Sequence, residues 1–251
     1  DYTFGETQKE FRFAFKDIGT SKVSVKTNAK QNPNTADSPF SETFTVIRLA
    51  APRAASQNHI VSNPESLDDG FTVNYQSVSG ATKYRLYKNG VIAAGYETAG
   101  TSMKVGSVID KDTVDQRTIQ YLIQSVGSTK SLNNGTITAD TIITLDSLTE
   151  ASLEFEITVL ARPTGINFAG GMVRWDDNAN AHGYTVIIGK ANHANNNEYS
   201  LRIAEAGNYK VSVNACGNGA AILSSPYTEE YNVVKLEAPT NIRINTRSQN
   251  Y

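Results

Sequence analysis

The chain has 251 residues, 39% hydrophobic and 19% charged, and its 23 basic and 25 acidic side chains leave a formal net charge of −2. So balanced a composition excludes the strong basic footprint of a nucleic-acid binder or of a protein held to an anionic membrane. A single cysteine, Cys216, excludes an intrachain disulfide, and no run approaches the roughly 18 apolar residues that a membrane span requires.

A length above that of a typical domain suggests two or more modules, and internal repeats bear this out in the sequence. The run SPFSETFTVIRLAAP at 38–52 returns position by position as SPYTEEYNVVKLEAP at 225–239, an offset of 187. Upstream, Glu10-Phe11 matches Glu198-Tyr199, and Lys22-Val23-Ser24-Val25 matches Lys210-Val211-Ser212-Val213, both at an offset of 188 that needs one gap. A diverged third copy, FEITVLARP, ends at Pro163. Pro52, Pro163 and Pro239 therefore divide the chain into the later strands of a partial module at 1–52, an enlarged module at 53–163 and a compact one at 164–239. Residues 240–251 read as the opening strand of a further module or a tail. The chain opens at Asp1 with no signal-peptide pattern, so it is expected to be a piece of a longer protein.

Strands follow in chain order. In 53–163, Phe71-x-Val73-x-Tyr75 alternates as a half-buried strand does, and the next runs from Gly80 to Leu86 through Tyr84. Asn89-Gly90 predicts a two-residue hairpin of type I′, in which both central residues take positive φ. Ile119, Tyr121, Ile123 and Ser125 then line one face of the sixth strand, with extra length at 96–118 and 127–150. In 164–239, Val173 and Trp175 face inward while Met172, Arg174 and Asp176 face outward. Tyr184, Val186 and Ile188 alternate next, a polar loop is expected at 190–197, and Leu201 with Ile203 forms a short strand. Gly207 turns the corner into Tyr209, Val211, Val213 and Ala215, and Tyr231 to Leu236 closes the module. Helical periodicity is absent throughout, so the fold class is all-β.

Val173-x-Trp175, Ala181-x-Gly183-Tyr184-x-Val186, Leu201-x-Ile203 and Gly207-x-Tyr209-x-Val211-x-Val213-x-Ala215 resemble fibronectin type III. The resemblance implies tandem immunoglobulin-like β-sandwiches, with Trp175 on the second strand and Tyr209 opening the sixth. In 53–163, Tyr75 stands where the tryptophan is expected and Ile119 replaces the corner tyrosine, as Ser21 does in 1–52. The expected structural core is Trp175, Tyr184, Tyr209, Val211, Val213, Tyr75, Tyr84 and Tyr121. The resemblance further implies non-catalytic spacer or interaction modules of a bacterial-type secreted or cell-surface protein, with a protein or glycan ligand. Self-association through edge strands, or a carbohydrate-binding role beside a secreted glycoside hydrolase, are the alternatives.

No catalytic, cofactor or metal site is expected. Asp176-Asp177-Asn178-x-Asn180-x-His182 gathers oxygen ligands, but a calcium loop of the EF-hand type needs Gly and Glu where Ala181 and Ile187 stand. His182 and His193 lack a third ligand, and His59 precedes a strand in a polar linker. Glu10, Glu42, Glu198, Glu229 and Glu230 fall at strand ends, where charge protects sheet edges. Phe40 and Tyr227 share a Ser-Pro context that points to a repeated structural role. Asn134-Gly135-Thr136 has the pattern of a glycosylation acceptor, Cys216 is expected in a core strand, and the 96–118 and 127–150 segments are the expected partner-binding surface.

Overall fold

A computed structural model of the chain describes residues 14–29, 34–106, 115–128 and 138–242. Among them the regular secondary structure is almost wholly β-strand. The first region contributes β1 (Gly19–Val23) and β2 (Phe44–Arg48). The second contributes β3 (Ile60–Ser62), β4 (Phe71–Asn74), β5 (Lys83–Lys88), β6 (Val91–Thr98), β7 (Ser102–Val105), β8 (Arg117–Val126), β9 (Ile142–Leu145) and β10 (Leu153–Val159), with one 3₁₀ turn at Thr149–Ala151. The third contributes β11 (Asn167–Ala169), β12 (Met172–Arg174), β13 (Tyr184–Ile188), β14 (Lys190–Ala194), β15 (Glu198–Ser200), β16 (Gly207–Ala215), β17 (Ile222–Leu223) and β18 (Tyr231–Lys235).

The second and third regions are built on one plan. In each, the first, second and fifth strands form one sheet, β3-β4-β7 and β11-β12-β15. The fourth, third, sixth and closing strands form the other, β6-β5-β8-β10 and β14-β13-β16-β18. Two antiparallel sheets joined in this order make a sandwich of the fibronectin type III kind. The repeats fix even the ladder register: Ser21 lies opposite Val46 in β1 and β2, as Tyr209 lies opposite Val233 in β16 and β18. The chain falls into two compact units, one of Asp1–Ile60, Thr72–Val105 and Ile119–Ile157, the other of Val61–Phe71, Gly106–Thr118 and Thr158–Tyr251.

The alternation expected from sequence sets the packing. Val173 and Trp175 are buried while Arg174 is exposed, and Phe71, Val73 and Tyr75 are buried with only half-buried residues between them. An aromatic pair lies at each centre: Trp175 meets Tyr184 edge-on at 5.1 Å between ring centroids, and Tyr75 meets Tyr84 at 4.7 Å. Each tyrosine of the third strand also holds the turn before it, the Tyr84 hydroxyl accepting the Val78 amide at 2.7 Å and the Tyr184 hydroxyl the Asn178 amide at 2.8 Å. Tyr121 is buried in the sixth strand and stacks on Phe155 at 5.6 Å, and Val211 and Val213 are fully buried. Tyr209 is only half-buried, and its hydroxyl donates back to the Glu205 carbonyl at 3.0 Å, the hydrogen bond that ties down a tyrosine corner. Asn89 and Gly90 take φ of +48° and +78° in a two-residue turn that pairs Lys88 with Val91.

The structure departs from the expected elements in three places. Residues 190–194 are strand β14 rather than loop, because Gly189 closes a hairpin that pairs Ile188 with Lys190, and an edge strand tolerates Lys190, Asn192 and His193. The short fifth strand is Glu198–Ser200, one step before Leu201 and Ile203, since Tyr199 pairs with Val173. Residues 96–105 are not added loop, because β6 runs to Thr98 and β7 supplies the fifth strand. Large cavities in cores this small are costly: Trp175→Ala is expected to lose about 3–5 kcal/mol, and Tyr209→Phe about 0.5–1.5 kcal/mol. Urea denaturation followed by far-ultraviolet circular dichroism measures both, and equal losses would contradict the assignment of Tyr209 to the corner.

Candidate functional site

Side chains of the oxygen-rich turn at 176–182 are hydrogen-bonded within the turn and to its neighbours. The Thr164 hydroxyl donates to the Asp176 carboxylate at 2.8 Å, and the Tyr184 hydroxyl donates to Asp177 at 3.0 Å. The Asn178 side chain accepts the Asn180 amide at 3.1 Å, and Asn180 in turn donates to Gln116 at 3.2 Å. These bonds hold the loop between the second and third strands. Among the described residues no group of three or more His, Cys, Asp or Glu side chains is placed to hold a metal ion. His193 lies 3.4 Å from exposed Glu65, the His182 amide bonds the Cys216 carbonyl, and the His59 ring rests on the Ser56 carbonyl and the edge of Phe155.

The strand-end glutamates also have local partners. Glu42 accepts the Ala139 amide at 3.1 Å, Glu198 pairs with Arg174 at 3.0 Å, and Glu230 pairs with Lys210. Glu97 bridges Arg85 at 2.6 Å and Lys83, and that pairing, Lys83 first, lowers its pKa below the ordinary carboxylate value. Glu10 and the Asn134 acceptor lie outside the described residues. Cys216 is buried with its thiol 3.2 Å from the Thr185 hydroxyl, and burial pushes its pKa up. Such a thiol is a poor nucleophile.

The Ser-Pro context repeats as a clamp. Ser38 accepts the amide of Thr27, past the end of β1, at 2.8 Å, Ser225 accepts the Ala215 amide of β16 at 2.9 Å, and each donates to the carbonyl of the following proline, Pro39 or Pro226. Three residues on, Ser41 accepts from Val25 at 3.0 Å and Thr228 from Val213 at 3.1 Å. Phe40 is 64% exposed beneath the Lys26 ammonium, whereas Tyr227 is half-buried. The shared feature is the hydroxyl clamp rather than the ring.

The connection between the sixth and closing strands is where the chain builds something beyond a sandwich. In 138–150, β9 lies parallel to β2, the closing strand of the first region, with Thr45 opposite Ile142 and Arg48 opposite Leu145. In the third region the equivalent connection forms β17, which lies parallel to the end of β10, with Thr158 opposite Ile222 and Val159 opposite Leu223. The same bond ends both ladders: the Leu49 amide donates to Leu145 and the Leu160 amide to Leu223, each at 3.1 Å. Leu49 and Leu160 are 2% and 0% exposed, and Leu160 belongs to the core around Trp175. After each short strand a serine, Ser147 or Ser225, accepts a sixth-strand amide, from Ser125 at 3.1 Å or from Ala215.

Glycine makes the approach possible. A Cβ on Gly127 would fall onto the Thr144 carbonyl, and one on Gly217 onto the Ile222 carbonyl, so both positions admit only hydrogen. The described part of the 127–150 segment is thus engaged within the chain. Sequence reading did not find this junction; the apolar runs Ile142-Ile143-Thr144-Leu145 and Ala220-Ala221-Ile222-Leu223 were its signal.

No protein-family model matches the chain, and no curated protein matches it. Solved structures to which it is similar are the FN1–FN3 domains of chicken CNTN1, at 11% identity over 82% of this chain and 75% of that one with a TM-score of 0.31, and the central fibronectin-III array of RIM-binding protein, at 12% over 76% and 71% with a TM-score of 0.26. The human desmocollin-1 ectodomain is similar at 11% identity over 85% of this chain and 42% of that one, with a TM-score of 0.17. The fibronectin type III-like fold stands on the strand order itself. Among the described residues no helix is long and apolar enough to cross a membrane.

Gly217→Ala is expected to cost about 1–3 kcal/mol through overpacking and to speed hydrogen exchange at the Leu160 amide, with Gly127→Ala doing the same at Leu49. Unchanged exchange at both amides would refute the role given to these glycines. In native buffer at pH 8, Cys216 is expected to react with a maleimide at least about a hundredfold more slowly than in 6 M guanidinium, read by mass spectrometry.

Proposed function

We propose that the chain is a non-catalytic array of fibronectin type III-like repeats, with limits near residues 52, 163 and 239, that acts as a spacer and interaction scaffold in a secreted or cell-surface protein. The observation that carries this reading is the parallel pairing of β9 with β2 and of β17 with the end of β10. A chain that needed only flexible tethering would have no use for a strand and a buried leucine at each join. The polar and acidic clusters of the turns and strand ends are occupied by local hydrogen bonds, which leaves the surface for adhesion or protein contact. Placement outside the cell is supported by the resemblance of the repeats to fibronectin type III.

A spacer holds its parts at a set distance. Spin labels at Lys22→Cys and Lys104→Cys, in a Cys216→Ser background, are expected to give one narrow distance distribution by pulsed electron resonance. Gly127→Val is expected to broaden it. A distribution already broad in the parent would sink the spacer reading.

A further inference from the structure

The third closing strand lacks what the first two have. β2 and β10 each carry a parallel partner from a following connection, whereas β18 is the last strand of its sheet among the described residues. The leucine after it differs in the same sense: Leu49 and Leu160 are buried, while Leu236, at the equivalent place before Ala238-Pro239, is 78% exposed, and Val234 in β18 is 60% exposed.

A groove opens beside β18, at the place in the repeat where the occupied join of β10 lies. A groove of about 510 Å³ runs between the β11–β12 turn, the segment after β15 and the end of β18, with Phe168, Met172, Leu201, Ile203 and Val234 among its walls. In the second repeat, the matching β3–β4 connection receives the connection that carries β17. Ser62 donates its amide to Gly219 at 2.9 Å and its hydroxyl to Ala220 at 2.8 Å, while the Pro64 carbonyl accepts the Gly217 amide at 3.0 Å and the Ser224 hydroxyl at 2.6 Å. The backbone beyond β18 also repeats the exit from β10. Asn241 follows Pro239-Thr240 at φ +59°, where Gly165 follows Pro163-Thr164 at φ +65°. A non-glycine residue in the left-handed region is uncommon, so Asn241 marks a turn held at the step that Gly165 takes after β10.

We propose that the β18 edge, Leu236 and this groove form a docking site for a further sandwich repeat of the same kind. That repeat would lay the connection between its sixth and closing strands parallel to β18 and take Leu236 into its core. Its docking segment would carry a glycine at the place of Gly127 and Gly217, an apolar residue at the place of Leu145 and Leu223, and a serine at that of Ser147 and Ser225. The inference rests on the array reading and adds the chemistry of the next partner in the row.

The test is the chain with its own residues 164–239 repeated directly after Pro239, followed by hydrogen exchange at single-amide resolution. The Leu236 amide is expected to exchange at least about tenfold more slowly than in the parent chain, and Leu223→Asp in the added repeat to restore the parent rate. A second extension, with residues 53–163 after Pro239, brings β9 in place of β17 and is expected to protect the same amide. Leu236 exchanging at the parent rate in both extended chains, whether or not the added repeat folds, overturns the proposal. So does a Leu236 already protected in the parent together with a dimer mass on sedimentation, which would assign β18 to a second copy. The spin-label distance between positions 22 and 104 is read in another part of the chain, so failure of the array reading is told apart from failure of this site.

Discussion

Burial of one aromatic pair per sandwich is the interaction on which the rest depends. A repeat of some 76 residues buries only about 60–65% of the surface its unfolded chain exposes, so a few large side chains must supply much of the driving force. Trp175 with Tyr184, and Tyr75 with Tyr84, do so by joining the second strand of one sheet to the third strand of the other. The tyrosine of each pair does more than fill space. Its hydroxyl satisfies an amide in the loop between those strands, which fixes how the two sheets face each other.

Once the sheets are fixed, the connection before the closing strand has a defined place to go. A glycine lets two backbones touch, a short apolar strand pairs with the preceding closing strand, and a serine returns the chain to its own sheet. Each group solves a specific problem of buried backbone polarity, since an unpaired amide there would cost stability. Ser38 accepts the Thr27 amide in the first region, so the serine of this device recurs in all three. The 127–150 segment, long enough to suggest an independent binding loop, is in its described part a larger version of the 217–226 connection.

Much of the fold was legible because period-two burial leaves a direct trace. Val173, Trp175, Val211 and Val213 announce a two-sheet core from their spacing alone, and Asn89-Gly90 announces its turn. Legibility failed where polarity and pairing part company. β14 reads as loop because Lys190, Asn192 and His193 are polar, yet an edge strand needs only a neighbour to bond. The joins were illegible for a different reason. Parallel partners such as Val46 and Ile143 lie nearly a hundred residues apart, and nothing in a single strand says which distant one it will meet. Cys216, expected in a core strand, is buried but lies one residue past the end of β16, whereas Tyr209 proved half-buried because its task is a hydrogen bond rather than the filling of a core.

The way β17 lies along the end of β10 bears on how such a chain responds to pulling. Tension carried through Thr158 and Val159 into Leu160 runs along the direction of both paired segments, so their ladder bonds are loaded lengthwise and must give way together. Bonds loaded crosswise would instead open one after another like a zip. With Leu160 held in the adjoining core, the join resists as a small brace, and stretching would have to dislodge a leucine before the linker could extend.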